Sequence, residues 1–376
     1  RITDKNILGK TGPYADSPGR DPPGKNQEGN VVRVASSDLE LYLAGLFEVV
    51  GVEADDAAVV ARSYVAAELA GLASHGVMRV PRIFAGIEAG THFPSHLPST
   101  VREGVAFAVL DGRSGLGVLV GAYAMRLAVR KARHAGIACV AAFNSNHFGT
   151  AGYFCRLAAE EQMIGITMCN GEPGVCSPAG TRAVIGPNPI AVAAPTRSQP
   201  VVLDMSIASI VRGRVLEYQR TGKALPEGVA IDDKGAPTVD PSAALLGAFL
   251  PFGGSQAYKA FGLGVMIDIL SGPLVGAAFA DRVTGTANTT QDCNKGDLYI
   301  AIDIAQFRPY EDYIDDVETL VAVVKSTGEH VYLPGEVEDQ RAAAAGGTIA
   351  LDADMAAQLA ALGRRLGVEA PAGLTG

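Results

Sequence analysis

The sequence predicts an α/β fold, and three features of the chain support this prediction. Apolar runs of strand length alternate with longer stretches of helical periodicity between about residues 105 and 303. Five prolines interrupt the apolar runs between residues 178 and 200, which argues against one continuous helical domain. The segments before and after this region carry mainly helical periodicity. We therefore expect a central α/β domain with mostly helical segments at both ends.

Length and composition describe an ordinary globular protein and exclude some partners. The 376 residues are enough to bury a large core in two or three domains. The net charge is −9 and no run of Lys or Arg stands out, so we expect no nucleic-acid partner. No uncharged apolar stretch reaches the length of a membrane span, so we expect no membrane partner. The five cysteines are scattered without a CxxC pair, which is typical of reduced thiols in a cytoplasmic protein.

Composition and periodicity divide the chain into four expected parts. Residues 1–30 are rich in Gly, Pro, Lys and Asp and predict a flexible arm. Residues 31–104 together with 304–376 predict one mostly helical domain, and residues 105–303 predict the α/β domain, with 209–250 as a possible helical subdomain. In the helical part we expect a first helix capped by Ser36 or Ser37, then helices at residues 54–72 and 77–88, and an alanine-rich helical tail from Glu338.

The α/β region contains a pattern that suggests a nucleotide-binding turn. Strands are expected at residues 105–110, 137–143, 164–168, 190–194, 201–205 and 298–303, and helices at 118–135, 209–224 and 259–280. Four glycines, at positions 112, 115, 117 and 121, lie in the turn after the first strand and in the first turn of the following helix, but their spacing is not GxGxxG. The second strand ends in Asn144-Ser145-Asn146 and not in an acidic residue that would bind ribose hydroxyls. An ordinary Rossmann domain is therefore not expected.

Two histidine-bearing segments, 72 positions apart, are the best candidates for a catalytic site. They read Ser-His-Gly-Val-Met-Arg at residues 74–79 and Asn-Ser-Asn-His-Phe-Gly at residues 144–149. Each combines a titratable ring with hydrogen-bonding side chains and with glycine, which lets a ligand approach the backbone. This combination predicts an enzyme. The other four histidines lie in unremarkable surroundings and are expected at the surface: His92, His96, His134 and His330.

Seven motifs in one order resemble the type-2 malate/L-lactate dehydrogenase family. They are the segments 74–79 and 144–152, GPNPIA at 186–191, LDM at 203–205, YKAFGL at 258–263, DLYIAID at 297–303 and LPGE at 333–336. The family also includes sulfolactate, ureidoglycolate and diketogulonate oxidoreductases and piperidine-2-carboxylate reductases. The resemblance implies a non-Rossmann fold whose residues 105–303 bind NAD or NADP. It implies that the helical segments form a substrate and dimerisation domain of a homodimer.

The resemblance implies a reaction on a small carboxylate substrate. Reducing a 2-oxo acid requires a cation for the carboxylate, a proton donor for the forming alkoxide and a dry path for the hydride. Arg79 suits the first role because its planar guanidinium matches a carboxylate. The resemblance assigns His75, with Ser74 beside it, to proton transfer. His147 remains open between a second substrate donor, the proton shuttle itself and a contact to the nicotinamide.

Candidate cofactor contacts lie between residues 146 and 259. The turn at residues 186–189 is rigid, and Asn188 offers an amide that can read a carboxamide or a ribose. Asp204 either accepts from the cofactor or caps a helix. Lys259 at a helix N-terminus is unfavourable for the helix dipole unless it meets a phosphate or a carboxylate such as Asp204; the alternative is a solvated lysine. The full set is Asn146, Asn170, Gly186, Asn188, Pro189, Asp204 and Lys259.

Departures from the family pattern keep other functions open. Ile83 stands where many members have tyrosine, and Asp297 where histidine is common, so the substrate need not be malate or lactate. One alternative is a reductase of cyclic imino acids. A metal-dependent hydrolase that uses His75 and His147 is another, although no HxH or HExxH spacing is present and no metal is expected. The third alternative is a protein that binds a nucleotide and acts as a scaffold without catalysing a reaction.

Overall fold

The computed structural model describes residues 31–286 and 288–375, and the predicted arm at residues 1–30 lies outside these described residues. The strands are β1 (Val31–Ala35), β2 (Ser99–Glu103), β3 (Phe107–Asp111), β4 (Ile137–Phe143), β5 (Met163–Cys169), β6 (Ile190–Ala194), β7 (Val201–Met205), β8 (Ala230–Ile231), β9 (Ala248–Phe249), β10 (Gly296–Asp303) and β11 (Thr348–Asp352). The helices are α1 (Ser36–Val49), α2 (Ala54–Leu69), α3 (Val80–Glu88), α4 (Gly117–Ala135), α5 (Ala151–Glu160), α6 (Arg212–Thr221), α7 (Pro241–Leu246), α8 (Ala257–Ser271), α9 (Tyr310–Lys325), α10 (Glu336–Ala344), α11 (Ala353–Leu366) and α12 (Ala372–Thr375).

A seven-stranded sheet forms the centre of the molecule, in the order β2-β3-β4-β10-β5-β6-β7. Only the β3–β4 pair is parallel, and the other neighbours are antiparallel. This mixed order confirms an α/β fold that is not a Rossmann domain. Because β3, β4, β5 and β7 run in the same direction, their carboxyl ends share one edge of the sheet with the starts of β6 and β10. We call this edge the site edge.

Helices cover both faces of the sheet, as the alternation along β10 shows. Successive side chains of a strand point to opposite faces. Leu298 belongs to an apolar cluster with Ile267 of α8, whereas Tyr299 packs against Phe154 of α5. Helices α4 and α5 therefore lie on one face and α8 lies on the other.

The two ends of the described chain meet in an antiparallel pair of strands that the sequence did not predict. Strand β1 pairs with β11, so that residues 31–35 lie beside residues 348–352. The expected alanine-rich tail from Glu338 is mostly helical, but strand β11, which was not predicted, separates α10 from α11. Ile349 and Leu351 are buried in β11, which gives this short strand its apolar face.

Several helix boundaries also differ from the expected ones. The capping prediction for Ser36 and Ser37 was wrong, because the N-cap of α1 is Ala35, without a side-chain hydrogen bond. Ser36 instead donates its backbone N–H to Gly347 O at 2.8 Å. Helix α8 ends at Ser271 and not near residue 280, since Gly272 and a proline follow.

The stretch at residues 209–250 contains both helices and strands. Helices α6 and α7 accompany the short β8–β9 pair, and the stretch encloses its own apolar cluster, which includes Val215 and Phe249. Strand β2, which falls in the expected helical segment 31–104, pairs with β3 and so belongs to the central sheet.

Two general features follow from the described residues. No helix among them is both long enough and apolar enough to cross a membrane. All five cysteines are free thiols, four of them buried and Cys139 half-buried.

Candidate active site

The segment that precedes α3 forms two short 3-10 turns, Ala73–His75 and Val77–Arg79, separated by Gly76. The expected helix from residue 77 therefore begins only at Val80. Glu68 of α2 lies below this break, where its Oε1 accepts the Val77 N–H at 2.8 Å. A Cβ on Gly76 would lie 2.2 Å from that oxygen, so glycine is required for the close approach.

His75 is half-buried, and one of its two ring nitrogens forms a hydrogen bond within the protein. Its Nδ1 lies 2.8 Å from Ser74 Oγ, which orients the ring and leaves Nε2 as the nitrogen for other partners. Burial, followed by the charge of Arg79, lowers the pKa of His75 to about 4. The imidazole is therefore neutral at pH 7 in the protein without ligands.

Arg79 presents an open guanidinium to the same place. Its Nε donates to the backbone carbonyl of Ser74 at 2.7 Å. Within the part of the chain that the structure describes, its two terminal nitrogens have no hydrogen-bond partner. Burial and then the neighbouring Arg82 lower the pKa of Arg79 to about 10, so it stays charged at pH 7. A charged, half-buried guanidinium has the shape and the charge that a carboxylate ligand would need.

His147 reaches this segment from the loop that follows β4 at the site edge. The ring centroids of His75 and His147 are 5.6 Å apart. The Gly149 N–H donates to His147 Nδ1 at 3.2 Å, which places the proton of the neutral ring on Nε2. Burial, then Arg79, His75, Lys295 and Arg82, holds the pKa of His147 well below its usual value. Two neutral rings and an open guanidinium therefore form one electropositive cluster.

Asn146 lies behind His147 and connects its loop to the glycine-rich turn before α4. Both of its amide bonds go to that turn, since Nδ2 donates to Ser114 O and to Gly115 O at 2.9 Å each. Its Oδ1 is buried and has no partner among residues 31–286 and 288–375. A Cβ on Gly117 would lie 2.1 Å from Asn146 O, so the turn and the loop are in close contact.

Two predicted cofactor residues, Asn170 and Asn188, use amide groups to hold segments of the site edge together. Asn170 donates to Ala278 O at 2.7 Å and accepts the Gly296 N–H at 2.9 Å. Asn188 is fully buried at the positive φ of 37°, and its Nδ2 donates to Gly264 O at 2.9 Å. Its donor is thus used within the fold, while its Oδ1 has no partner in the described chain.

The turn at residues 186–189 lies in the same region. A Cβ on Gly186 would lie 2.5 Å from Gly171 O, so this turn packs closely on the loop after β5. Pro189 accepts the Cys169 N–H at 3.3 Å and continues the ladder between β5 and β6.

Asp204 and Lys259 contact different parts of the structure. Asp204 accepts the Gly152 N–H at 2.7 Å, in the first turn of α5, so it caps that helix from the neighbouring strand. Lys259 is exposed, and its ammonium lies 5.9 Å from the ring centroid of Tyr258. No ion pair joins the two residues in the described part of the chain.

The structure thus brings Ser74, His75, Arg79 and His147 into one cluster, as the two sequence segments indicated. It also shows residues that sequence reasoning missed. Behind His147 lies a buried group formed by Ser145, Lys295 and Asp297. Asp297 was noticed as the start of the DLYIAID motif and as a departure from the family pattern, but not as part of the site. Lys295 gave no signal because it follows an ordinary polar loop.

One histidine prediction was wrong. His92 is 4% exposed and not at the surface, with its Nδ1 3.0 Å from Thr91 Oγ1. A Cβ on Gly86 would lie 2.3 Å from that nitrogen, so the glycine of α3 makes room for the ring. Among the described residues, no three His, Cys, Asp or Glu side chains are grouped so that they could hold a metal ion.

Comparisons with known proteins show which family the chain resembles in sequence and in fold. The family described as malate/L-lactate dehydrogenase matches residues 34–360. A malate/(S)-sulfolactate dehydrogenase of Methanothermus fervidus is 42% identical over 293 residues, which are 78% of this chain and 86% of that protein. The structure of sulfolactate dehydrogenase from Methanocaldococcus jannaschii superposes with a TM-score of 0.84 at 37% identity, covering 90% of this chain and 98% of that one.

A third relative catalyses a different reduction. The Delta(1)-pyrroline-2-carboxylate/Delta(1)-piperideine-2-carboxylate reductase of Pseudomonas putida is 34% identical over 252 residues, which are 66% of this chain and 73% of that protein. The family match covers most of the chain, and the site contains the groups that such reactions need. The chain belongs to the type-2 malate/L-lactate dehydrogenase family and is an NAD(P)-dependent oxidoreductase that transfers a hydride to or from a small carboxylic acid.

Proposed function

We propose that this enzyme interconverts a small 2-oxo acid and its 2-hydroxy acid, with Arg79 binding the carboxylate and His75 exchanging the proton at the C2 oxygen. The observation that supports this most is the open guanidinium of Arg79 beside two neutral imidazole rings. A bound anion would accept hydrogen bonds from the terminal nitrogens of Arg79. Its negative charge would also reduce the repulsion among Arg79, Arg82 and Lys295.

The two histidines take different roles because their surroundings differ. The pKa of His75 is lowered to about 4 by burial and by Arg79, whereas burial and four nearby cationic or titratable groups act on His147. His75 is thus the easier ring to protonate once a substrate anion offsets Arg79. His147 stays neutral and donates a hydrogen bond from Nε2, which steadies the substrate oxygen.

The residues around His147 fit a nicotinamide cofactor. The unpaired Oδ1 of Asn146 is an acceptor that a carboxamide N–H would satisfy. The exposed Lys259 and Asp204 are further candidates for the phosphate and ribose of the same cofactor. When bound, the nicotinamide supplies or accepts the hydride. Asn170, Gly186, Asn188 and Pro189 then support the loops of the site edge, and their direct contact with the cofactor stays a prediction.

A cyclic imino acid is the second candidate substrate. The reductase from Pseudomonas putida acts on such compounds, according to its name, and its sequence is 34% identical to this chain over 252 residues. Ile83 of α3 is buried and brings an apolar side chain where many family members have a phenol. In this alternative, Arg79 still binds the carboxylate of the substrate. The hydride goes to a C=N carbon, so no alkoxide forms and no proton donor for an alkoxide is needed.

The test is oxidation of NADH and of NADPH, followed by the absorbance of the reduced nicotinamide, against a panel of 2-oxo acids and cyclic imino acids. We expect turnover with at least one 2-oxo acid, unchanged by EDTA. Turnover with imino acids alone would favour the second candidate. Loss of activity with EDTA would point to the metal-dependent alternative, and cofactor binding without any turnover would point to the scaffold.

We also propose that the enzyme is a cytoplasmic homodimer. Five free thiols suit a reducing compartment. The outer face of α8 exposes Tyr258, Leu263, Met266 and Ile269, and Leu274 continues it. A Cβ on Gly262 meets nothing within 4 Å, which leaves room for a second helix. This apolar helix face suits a two-fold contact with a second copy.

Sedimentation velocity tests the dimer with a matched pair of variants. Met266→Lys places a charge on the α8 face, and we expect it to shift the protein to monomers. Val105→Lys adds the same charge at a highly exposed valine outside that face and should leave the dimer intact. Equal sedimentation of both variants and the wild type as dimers would remove α8 from the interface.

A further inference from the structure

A lysine and an aspartate form a buried ion pair directly behind the candidate active site. Lys295 is 2% exposed and Asp297 is fully buried, at the start of β10 in the middle of the sheet. The Lys295 ammonium contacts Asp297 Oδ1 and donates to Ser145 Oγ at 3.0 Å. Ser145 in turn donates to Asp297 Oδ2 at 2.6 Å, so the three side chains form a closed network.

Stability alone does not account for this network. Removing two charges from water costs several kcal/mol per ion, and apolar side chains of the same size are often as stabilising or more so. Sheet residues on either side of Asp297 are apolar, so a chain selected only for stability had a simpler solution here. The position of the network next to the site loop offers a functional explanation.

The Lys295 ammonium contacts residues on both sides of His147. It donates to Ser145, two positions before the histidine, and it lies 4.6 Å from the ring centroid of Phe148, the residue after it. A cation over the face of an aromatic ring is attracted by the ring's quadrupole. One side chain from β10 therefore fixes the loop after β4 at two points that enclose His147.

We propose that Lys295 is a positioning residue for His147, held in place by Asp297 and acting through Ser145 and Phe148 without touching the substrate. This role rests on the proposed function, in which His147 donates a hydrogen bond to the substrate. Neither Lys295 nor Asp297 lies at the surface, so their effect reaches the reaction only through the loop and through their charge.

The positive charge of Lys295 also acts on His147, in addition to the contacts that fix the loop around this ring. Burial lowers the pKa of Lys295, but the carboxylate of Asp297 outweighs this and holds it above its usual value. After burial, Arg79 and His75, Lys295 is one of the groups that disfavour protonated His147, together with Arg82. The ammonium thus contributes to keeping the His147 ring neutral, while the Gly149 N–H on Nδ1 places the proton of that neutral ring on Nε2.

The test compares three variants of the full-length enzyme. Lys295→Met removes the ammonium but leaves Asp297 buried and unpaired, which can prevent folding. The double variant Lys295→Met/Asp297→Asn removes both charges and keeps the side-chain volumes. Lys131→Met is the matched control, because Lys131 is also mostly buried and paired with a carboxylate, that of Glu103, but it lies near the C-terminal end of α4 and contacts neither Ser145 nor Phe148. Thermal unfolding establishes that each variant is folded.

Two readouts separate positioning from simple support of the fold. Imidazole nitrogen NMR of the ligand-free protein reports the tautomer and the pKa of His147, and steady-state kinetics report kcat and KM. We expect the double variant to raise the pKa of His147 and to lower kcat between about 10- and 100-fold with little change in KM. The control should change neither readout.

The outcomes distinguish this proposal from the proposed function. An unchanged His147 signal together with unchanged kcat, in a folded double variant, would overturn the positioning role. If the wild type turns over no acid or imine, the reaction is wrong, yet the NMR result still decides whether Lys295 controls His147. A lower unfolding temperature with an unaltered His147 would mean that the ion pair only supports the fold.

Discussion

We propose different chemical roles for His75 and His147 because the residues around the two rings differ. His75 has Ser74 on its Nδ1, and burial and Arg79 depress its pKa to about 4. His147 has a backbone N–H on its Nδ1, so its neutral ring is fixed as a donor from Nε2. Of the two rings, only His75 can change its hydrogen-bond role by a small rotation of a hydroxyl, which suits a group that gains and loses a proton.

Removal of the His75 ring tests this division of roles. His75→Ala should lower kcat for ketone reduction by about 10²–10⁴, the usual contribution of a general acid, while cofactor affinity stays nearly constant. Steady-state kinetics and a cofactor titration measure both quantities. His134→Ala, at an exposed histidine near the end of α4, is the control. If His75→Ala keeps full turnover and His147→Ala abolishes it, the two roles are reversed.

The depressed pKa of His75 predicts opposite pH profiles in the two directions. Oxidation of the hydroxy acid needs neutral His75, so its kcat/KM should stay level at neutral pH and fall only as the pH drops through about 4. Reduction needs protonated His75 in the free enzyme, so its kcat/KM should rise by up to about tenfold for each unit that the pH falls toward that value. Parallel profiles in both directions would exclude His75 as the proton carrier.

The sequence predicted which histidine and arginine side chains meet in the cluster, and it missed the residues that support them. Histidine, arginine and asparagine beside glycine are recognisable because few folds need that combination. Lys295 is not recognisable, since its partner Ser145 lies 150 positions away and only the sheet brings them together. His92 was misjudged for a similar reason, because the space left by Gly86 cannot be read from composition.

Among the elements, the broken turn at residues 73–79 decides how the site is presented. Gly76 separates two 3-10 turns, and the Glu68 carboxylate fills the space that a side chain would need. His75 and Arg79 therefore depend on α2 for their orientation, although they follow it in the chain.

A methyl group at Gly76 tests this dependence. Gly76→Ala should displace Glu68 from the Val77 N–H, raise KM for the acid and cost about 1–3 kcal/mol of stability, the cost of an unsatisfied buried group. Gly45→Ala in α1 is the matched control, since its Cβ would make an ordinary contact of 3.4 Å with Val368. It should leave KM unchanged. Equal KM values in both variants and the wild type would show that the break at Gly76 does not govern substrate binding.

The strands of the central sheet were easier to predict than the ends of the chain. Strands β4, β6 and β7 have the expected bounds, because each is an apolar run between turn residues. Strands β1 and β11 were missed, since each is short and gains its structure only from a partner more than 300 positions away. Helix α3 starts later than expected because the glycine before it allows the close contact with α2.

For the whole molecule, the site follows from the direction of the strands. The site edge brings together the loops after β4 and β5, the turn before β6 and the end of β7. Most of the candidate cofactor residues lie in these segments, which are separate in the sequence. The order of the strands was not predictable, because β10 inserts between β4 and β5 from far along the chain. Without that insertion, Asp297 and Lys295 would not lie behind His147.

The central claim is that the Arg79 guanidinium recognises the carboxylate on which the enzyme's specificity depends. The most direct test measures kcat/KM for a 2-oxo acid and for its neutral amide, with the wild type and with Arg79→Ala. We predict that kcat/KM of the wild type is at least about tenfold higher for the acid than for the amide, because the neutral amide cannot form the charge-assisted bidentate pair with Arg79. Arg79→Ala should have similar kcat/KM values for both compounds. A variant that still prefers the acid by the same factor would contradict the account, because the carboxylate would then be bound elsewhere.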